Sequence, residues 1–414
     1  MTHHRLPLAV VLLFSVAGPS LGQDFKTPLD GPPLPGTKKL TLSGDIASQI
    51  VDGVDRFLLR EIAASVERRA SHWNRDTSSP EKYSASIEPN RRRLAHIIGV
   101  RDERVAFEGP ELVATTDRPA LVGRGDGYEV LAVRWPAFGD VNGEGLLLLP
   151  TGKKPAADVV AVPDAGQTPE MIVGLAEGVP ARSQFARRLA ENGCRVLVPV
   201  LIDRNIEKRR FARLTNREFL YRSAFELGRH LIGYEVQKVL AGVDWFSKEA
   251  ADQDARIGVI GWGEGGLIAL YAAAIDARID AACVSGYFDS RQNVWQEPLD
   301  RNVFGLLEQF GDAELAAMIA PRTLIVEAAG GPQVVVPPKL GGGPGRLVTP
   351  KLETVKREIE RARQLTAGLK PSPRIELVTS GDGPGPFGST EALQAFLRSL
   401  APGIAVAVPG KSPA

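Results

Sequence analysis

The segment Arg256-Ile257-Gly258-Val259-Ile260-Gly261-Trp262-Gly263-Glu264-Gly265-Gly266 leads into an apolar run from Leu267 to Ala274. Its small residues fall where a strand would turn sharply into a helix. That is the spacing of Gly-x-Ser-x-Gly, the nucleophile elbow, in which a strained backbone exposes a serine hydroxyl. Here the middle position is Gly263, which has no side chain to attack with. Glycine also relieves the strain that a serine would carry. The glycines could instead suggest a dinucleotide loop. Such a loop belongs in the first strand–helix unit, with an acid ending the next strand. This one falls late, and the next strand-like run ends Val284-Ser285-Gly286.

A hydroxyl nucleophile needs a base, and histidine is scarce. Of five histidines, His3 and His4 lie in an N-terminal leader, leaving His72, His96 and His230. The first two read as structural or surface residues of a helical cap. His230 reads as structural, on a long amphipathic helix and bonded to a backbone carbonyl. Acids are better placed. Asp164, Glu170, Glu264, Asp289 and Glu327 lie in or just beyond the ends of apolar runs, with Arg291 close to Asp289. Two carboxylates flanking a sugar can perform acid/base hydrolysis. The plainer reading is that Asp164 and Asp289 cap turns while Glu264 pairs with an arginine. The candidate ligand-binding residues are Asp164, Gln167, Trp262, Glu264, Tyr287, Asp289 and Arg291. With Phe288 and Trp295, these aromatics would make either a sugar-stacking cleft or part of the core. Cys194 and Cys283 adjoin apolar runs and read as buried thiols, or in an oxidising compartment as one disulfide joining two core strands, and are too few for a thiolate metal site. No metal or cofactor is expected.

The elements that must position these groups follow from hydrophobic period. Strand-like runs occur at 129–134, 145–149, 159–162, 195–201, 256–260, 281–284, 323–326 and 374–378. Helical patterns fall at 183–192, 222–249, 267–276, 350–369 and 390–400. Ahead of them, Ile50, Val54, Phe57, Leu58, Ile62 and Val66 make one apolar stripe in a helix over 46–72. A second helix over 89–98 carries Arg91, Arg92 and Arg93, read as a solvated face. An antiparallel start followed by strand–helix alternation predicts an α/β fold with a mostly parallel sheet covered on both faces. Residues 330–350, rich in glycine and proline, read as a mobile loop.

Over residues 85–400 the sequence resembles the exported acetyl xylan esterase and dienelactone hydrolase branch of the α/β-hydrolases. The segments that carry the likeness are Gln184 to Leu189, Gly228-Arg229-His230, Ala282 to Phe288, Asn302 to Leu307 and Ile319 to Glu327. The resemblance implies an eight-stranded, mostly parallel sheet with helices on both faces and an N-terminal helical extension. It places the nucleophile at Gly263, the acid in Ala328-Ala329-Gly330-Gly331-Pro332 and the histidine in Gly383-Pro384-Gly385-Pro386-Phe387. Serine, aspartate and histidine are all missing there, so the relay that activates a serine has no members. The resemblance also puts Asp164 to Thr168 where a second oxyanion donor is expected.

Residues 1–22 read as a secretory signal peptide: a partly basic start, a short apolar run and Ser20-Leu21-Gly22 before Gln23. The apolar run is too short to span a bilayer, which needs ~20 residues. A periplasmic or extracellular protein is expected, with an arm and helical extension over 23–100, a hydrolase domain over 101–402 and a flexible tail over 403–414. With 50 Lys+Arg against 49 Asp+Glu, charge gives no case for nucleic acid or an anionic membrane. The leading expectation is a non-catalytic homologue that binds a carbohydrate or acyl-ester ligand. The alternative is a hydrolase of acyl or sugar esters with relocated carboxylates, Glu264, Asp164 or Asp289.

Overall fold

A computed structural model describes residues 34–38, 41–210, 212–250, 256–337, 342–407 and 409–413. The expected leader lies outside them. The chain divides into two units at Arg56 and Phe57, so the helical extension from residue 57 onward belongs with the sheet, not with the arm. In the first unit, Asp45 caps the start of helix α1 (Ile46–Arg68) by accepting the Ser48 N–H. The apolar stripe of α1 is exposed at Ile50 (60%) and Phe57 (51%) and half-buried at Ile62 and Val66.

In the second unit, helix α2 (Pro80–Ile97) starts earlier than the sequence suggested, at a Ser79 cap with Pro80 in its first turn. Its Tyr83, Ile87 and Leu94 are buried in the main core. Arg91, expected in solvent, is buried and donates to the Ala274 and Met318 carbonyls, tying α2 to the elements beneath it.

Then come strands β1 (Glu111–Leu112), β2 (Leu121–Gly125), β3 (Tyr128–Phe138), β4 (Val141–Pro150) and β5 (Asp158–Val162). Helices α3 (Pro169–Val173) and α4 (Phe185–Glu191) lead to β6 (Arg195–Pro199), a hairpin of β7 (Ile206–Arg209) and β8 (Ala212–Thr215), and α5 (Asn216–Glu226). Helix α6 (Leu231–Ala250) precedes β9 (Ile257–Trp262), α7 (Glu264–Ile275) and β10 (Ala281–Ser285). The rest is α8 (Leu306–Gln309), α9 (Asp312–Ile319), β11 (Thr323–Ala328), β12 (Val334–Val336), β13 (Gly345–Leu347), α10 (Leu352–Leu365), β14 (Ile375–Thr379) and α11 (Thr390–Leu400).

The central sheet has ten strands in the order β1-β3-β4-β6-β5-β9-β10-β11-β14, with β2 also on β3. Eight of these are the strands read from the sequence; the two extra, β1 and β2, are short antiparallel additions on β3. From β6 through β14 every pairing is parallel. Strands β5, β6 and β10 are buried along their whole length, which is why they read as continuous apolar runs. Alternate residues face opposite sides. Val160, Val259 and Val284 meet α6, α7 and α9, while Val159, Ile260 and Cys283 meet α4 and α11.

Three further expectations are corrected. The pattern over 222–249 is two helices, broken where Gly228 takes φ +62° between α5 and α6. Residues 330–350 contain the β12–β13 hairpin, Val335 opposite Arg346. The C-terminal tail is tethered: Val406 N–H donates to Gln394 on α11, and Gly410 N–H to Glu191 on α4.

Candidate functional site

The parallel strands all deliver their loops to one end of the sheet. Val162, Gly261 and Trp262, and Ser285 and Glu327 are register partners across β5, β9, β10 and β11. Asp164, Gly263 and Glu264 are therefore brought together just beyond the strand ends, where this topology places ligand sites.

Gly263 is the sharp turn between β9 and α7, with φ +59° and ψ −117°. Its N–H donates to the Ser285 carbonyl at 3.0 Å. A β-carbon built on Gly263 would stand 2.6 Å from Asp164 Oδ1 and 2.9 Å from Pro332 Cδ, so the space a serine would occupy is taken.

Asp164 takes it. Oδ1 accepts the Glu264 backbone N–H at 2.9 Å, and Oδ2 accepts the Gly166 N–H at 2.8 Å. Both oxygens are bonded by the Arg204 guanidinium. Gln167 closes the same turn, accepting the Asp164 N–H at 3.1 Å. In the elbow motif, the N–H that follows the nucleophile stabilises the oxyanion of acyl transfer. Here the protein's own carboxylate already occupies that donor.

Glu264 is fully buried among three arginines. Arg217 Nη2 donates to Oε1 at 2.7 Å; Arg301 Nε at 2.9 Å and Arg204 Nη2 at 3.2 Å share Oε2. Burial by itself would raise this carboxyl, but Arg217, Arg301 and Arg204 outweigh it and hold the group well below the usual carboxylate range. The expected arginine partner is thus threefold. The sequence did not single out Arg204, Arg217 or Arg301, although a carboxyl directly after an elbow position demands such cations.

The two positions where the acid and the histidine were expected are closed as well. A β-carbon on Gly331 would lie 2.6 Å from the Gly286 carbonyl, and one on Gly385 would run into the Ser380 carbonyl. Trp262 fills the gap, stacked on Phe387 at 4.1 Å with its Nε1–H on the Gly330 carbonyl at 2.7 Å. Glu327 turns away from the mouth and accepts the Gly388 and Ser389 N–H groups at the start of α11, each at 2.8 Å. His230 precedes α6 instead of lying within the helix. Its Nδ1 accepts the Ile232 N–H at 3.0 Å and its Nε2 meets the Asn302 carbonyl at 3.1 Å, a structural role. Burial lowers its pKa to about 4, with the Asn302 bond opposing.

Residues 154–298 match the dienelactone hydrolase family, and the fold overlays known esterases. A Bacteroides fragilis protein described as an acetyl xylan esterase aligns over 77% of this chain and 81% of its own, at 14% identity and TM-score 0.54. The fold is that of the α/β-hydrolases. The methylesterase BT1017 aligns over 81% of this chain and 68% of its own, at 15% identity and TM-score 0.50. A Bacillus subtilis (strain 168) protein named as a hydrolase, YtaP, is 30% identical over 110 residues, which span 25% of this chain and 36% of that relative.

Beside the closed elbow lies a polar cavity of about 270 Å³. Tyr287, Asp289, Arg291, Glu297 and Arg301 line it, together with Pro332, Arg346, Lys351 and Thr354. Three candidate ligand residues, Tyr287, Asp289 and Arg291, meet here. Asp164, Glu264, Gln167 and Trp262 are instead spent on the closed elbow. Arg291 lies over the Tyr287 ring, 4.5 Å from its centroid, and its Nη1 donates to Glu297 at 3.3 Å. Arg301 joins the two regions, bonding Glu264 through Nε and Glu297 through Nη1. Burial raises the Asp289 carboxyl against the opposing Thr354 bond and Arg291 charge. The expected aromatic cleft is not assembled, since Phe288 is core and Trp262 is stacked on Phe387. No helix among the described residues is long and apolar enough to cross a membrane.

Proposed function

We propose that this protein is a non-catalytic, ligand-binding homologue of the ester hydrolases, holding a small hydroxyl-rich ligand of the carbohydrate type. One observation carries the reading: the Asp164 carboxylate sits on the Glu264 N–H, the donor an acyl-transfer oxyanion would need. The adjoining cavity, with hydroxyl, carboxylate and guanidinium groups on its walls, suits a sugar's alternating donors and acceptors. Acetyl xylan and methyl esters, named for the aligned proteins, supply the ligand families to try. The leader pattern supports export to the periplasm or beyond; recovery of intact Met1 to Gly22 from outside the cell would refute that.

Two measurements test the proposal. Purified protein should hydrolyse an aryl acetate no faster than buffer. Xylo-oligosaccharides or acetylated sugars should raise its melting temperature, because a ligand bound only by the folded state stabilises it. Turnover that disappears in Asp289→Asn would instead support a relocated-carboxylate hydrolase. That second reading is favoured by the raised Asp289 carboxyl in the open cavity.

A further inference from the structure

A second cleft, of about 390 Å³, lies between the end of α2 and the turn joining α5 to α6. One wall is aromatic. Phe304 is 80% exposed and Phe225 44% exposed, their rings edge to face with centroids 6.4 Å apart. Exposed rings in contact with each other forfeit apolar burial that a third ring could supply.

The same lining carries Arg93, Arg101 and Arg229. Arg101 spends its Nε on the His96 carbonyl at 2.9 Å, and its two terminal nitrogens make no hydrogen bond within the described residues. Arg93 likewise has no carboxylate partner there, whereas Arg229 is paired with Asp102. Glu308 is the single carboxylate on the lining, so the arginines outnumber it. Slight burial, then the Arg101 and Arg93 charges, lower the His96 pKa, as a positive local potential requires. His230 forms the floor with both ring nitrogens already engaged, so the cleft binds without a reactive group.

We propose that this cleft is a binding site for small aromatic carboxylates, the ring packed on Phe304 and Phe225 and the anion held by Arg101 and Arg93. The site is separate from the cavity at β10 and does not depend on its ligand. A carboxylate suits a guanidinium fork because two parallel N–H bonds match its two oxygens.

The experiment is calorimetric titration with trans-cinnamate, with cinnamyl alcohol as the uncharged ring and cyclohexanecarboxylate as the ringless anion. Wild type should bind cinnamate saturably and both controls more weakly. Arg101→Gln and Phe304→Ala, at exposed positions, should each weaken cinnamate about tenfold, the scale of one charge-assisted bond or one ring contact. Melting curves confirm that both variants are folded. Absence of saturable cinnamate binding, equal binding of cinnamyl alcohol, or wild-type affinity in either folded variant would overturn the proposal.

Discussion

Asp164 Oδ1 accepts the backbone N–H of Glu264 at 2.9 Å. The contact ties the loop after β5 to the first turn of α7 and uses the amide that acyl transfer would require. Arg204 holds the carboxylate in place from its other side, so a competing anion would have to displace a charge already neutralised.

Restoring the nucleophile should therefore not restore chemistry. In Gly263→Ser the new β-carbon meets Asp164 and Pro332 at a residue with φ +59°. We expect about 1–3 kcal/mol of lost stability in urea denaturation. No aryl-ester turnover above wild type is expected. Adding Gly331→Asp and Gly385→His should worsen folding instead of completing a relay, since both positions lack room. Rapid turnover by the single variant would refute the closure.

Glu264→Gln should be strongly destabilising without changing turnover. Removing one charge from a buried ionic cluster typically costs about 3–5 kcal/mol. The pH dependence has a definite sign. The folded carboxyl lies below its ordinary 4.5, so its contribution is present above that pH and is lost as pH falls below it. The stability gap between wild type and Glu264→Gln should then narrow in acid. A constant gap down to pH ~3 would contradict the three-arginine account.

Asp312 should behave oppositely. It is buried behind the cavity floor, and burial raises its carboxyl from 3.8 to about 7 despite Arg291. Between those values the folded state holds a proton that the unfolded chain has lost, so this group's contribution falls as pH rises. Stability curves of Asp312→Asn should lack that decline and gain on wild type between pH ~4 and ~7.

Cys194 and Cys283 are both buried and unpaired. Burial pushes the Cys194 thiol up to about 12 and raises Cys283 well above its ordinary range. Neither should react with an aromatic disulfide reagent near neutral pH until denaturant is added. Reaction of either thiol in the native state would mean that its strand opens.

Strands β5, β6, β9 and β10 were legible because buried parallel strands must be apolar throughout, whereas the antiparallel β3 and β4 showed as runs of period two. The turn at Gly263 was legible because small residues at fixed spacing have few other uses. Sequence also revealed what was missing from the relay. It could not reveal what replaced it, since Arg204 and Arg217 lie 60 and 47 residues from Glu264 and come from the loop after β6 and the first turn of α5. Arg91 was misread for a related reason: a charged triplet on a helix gives no sign that one member reaches backbone carbonyls beneath it. The break before α6 was hidden because the apolar period resumes after Gly228.

The carboxylate lodged on the Glu264 amide also bears on how such a protein is found. Phosphonates and boronates that report serine hydrolases need both a hydroxyl to attack them and a vacant donor for the resulting anion. With glycine at position 263 and Asp164 seated on the donor, labelling surveys of this kind should pass over the chain even when it is abundant. Searches that read the strand order would still count it as a hydrolase, so inventories built from shape and from reactivity should disagree on this protein.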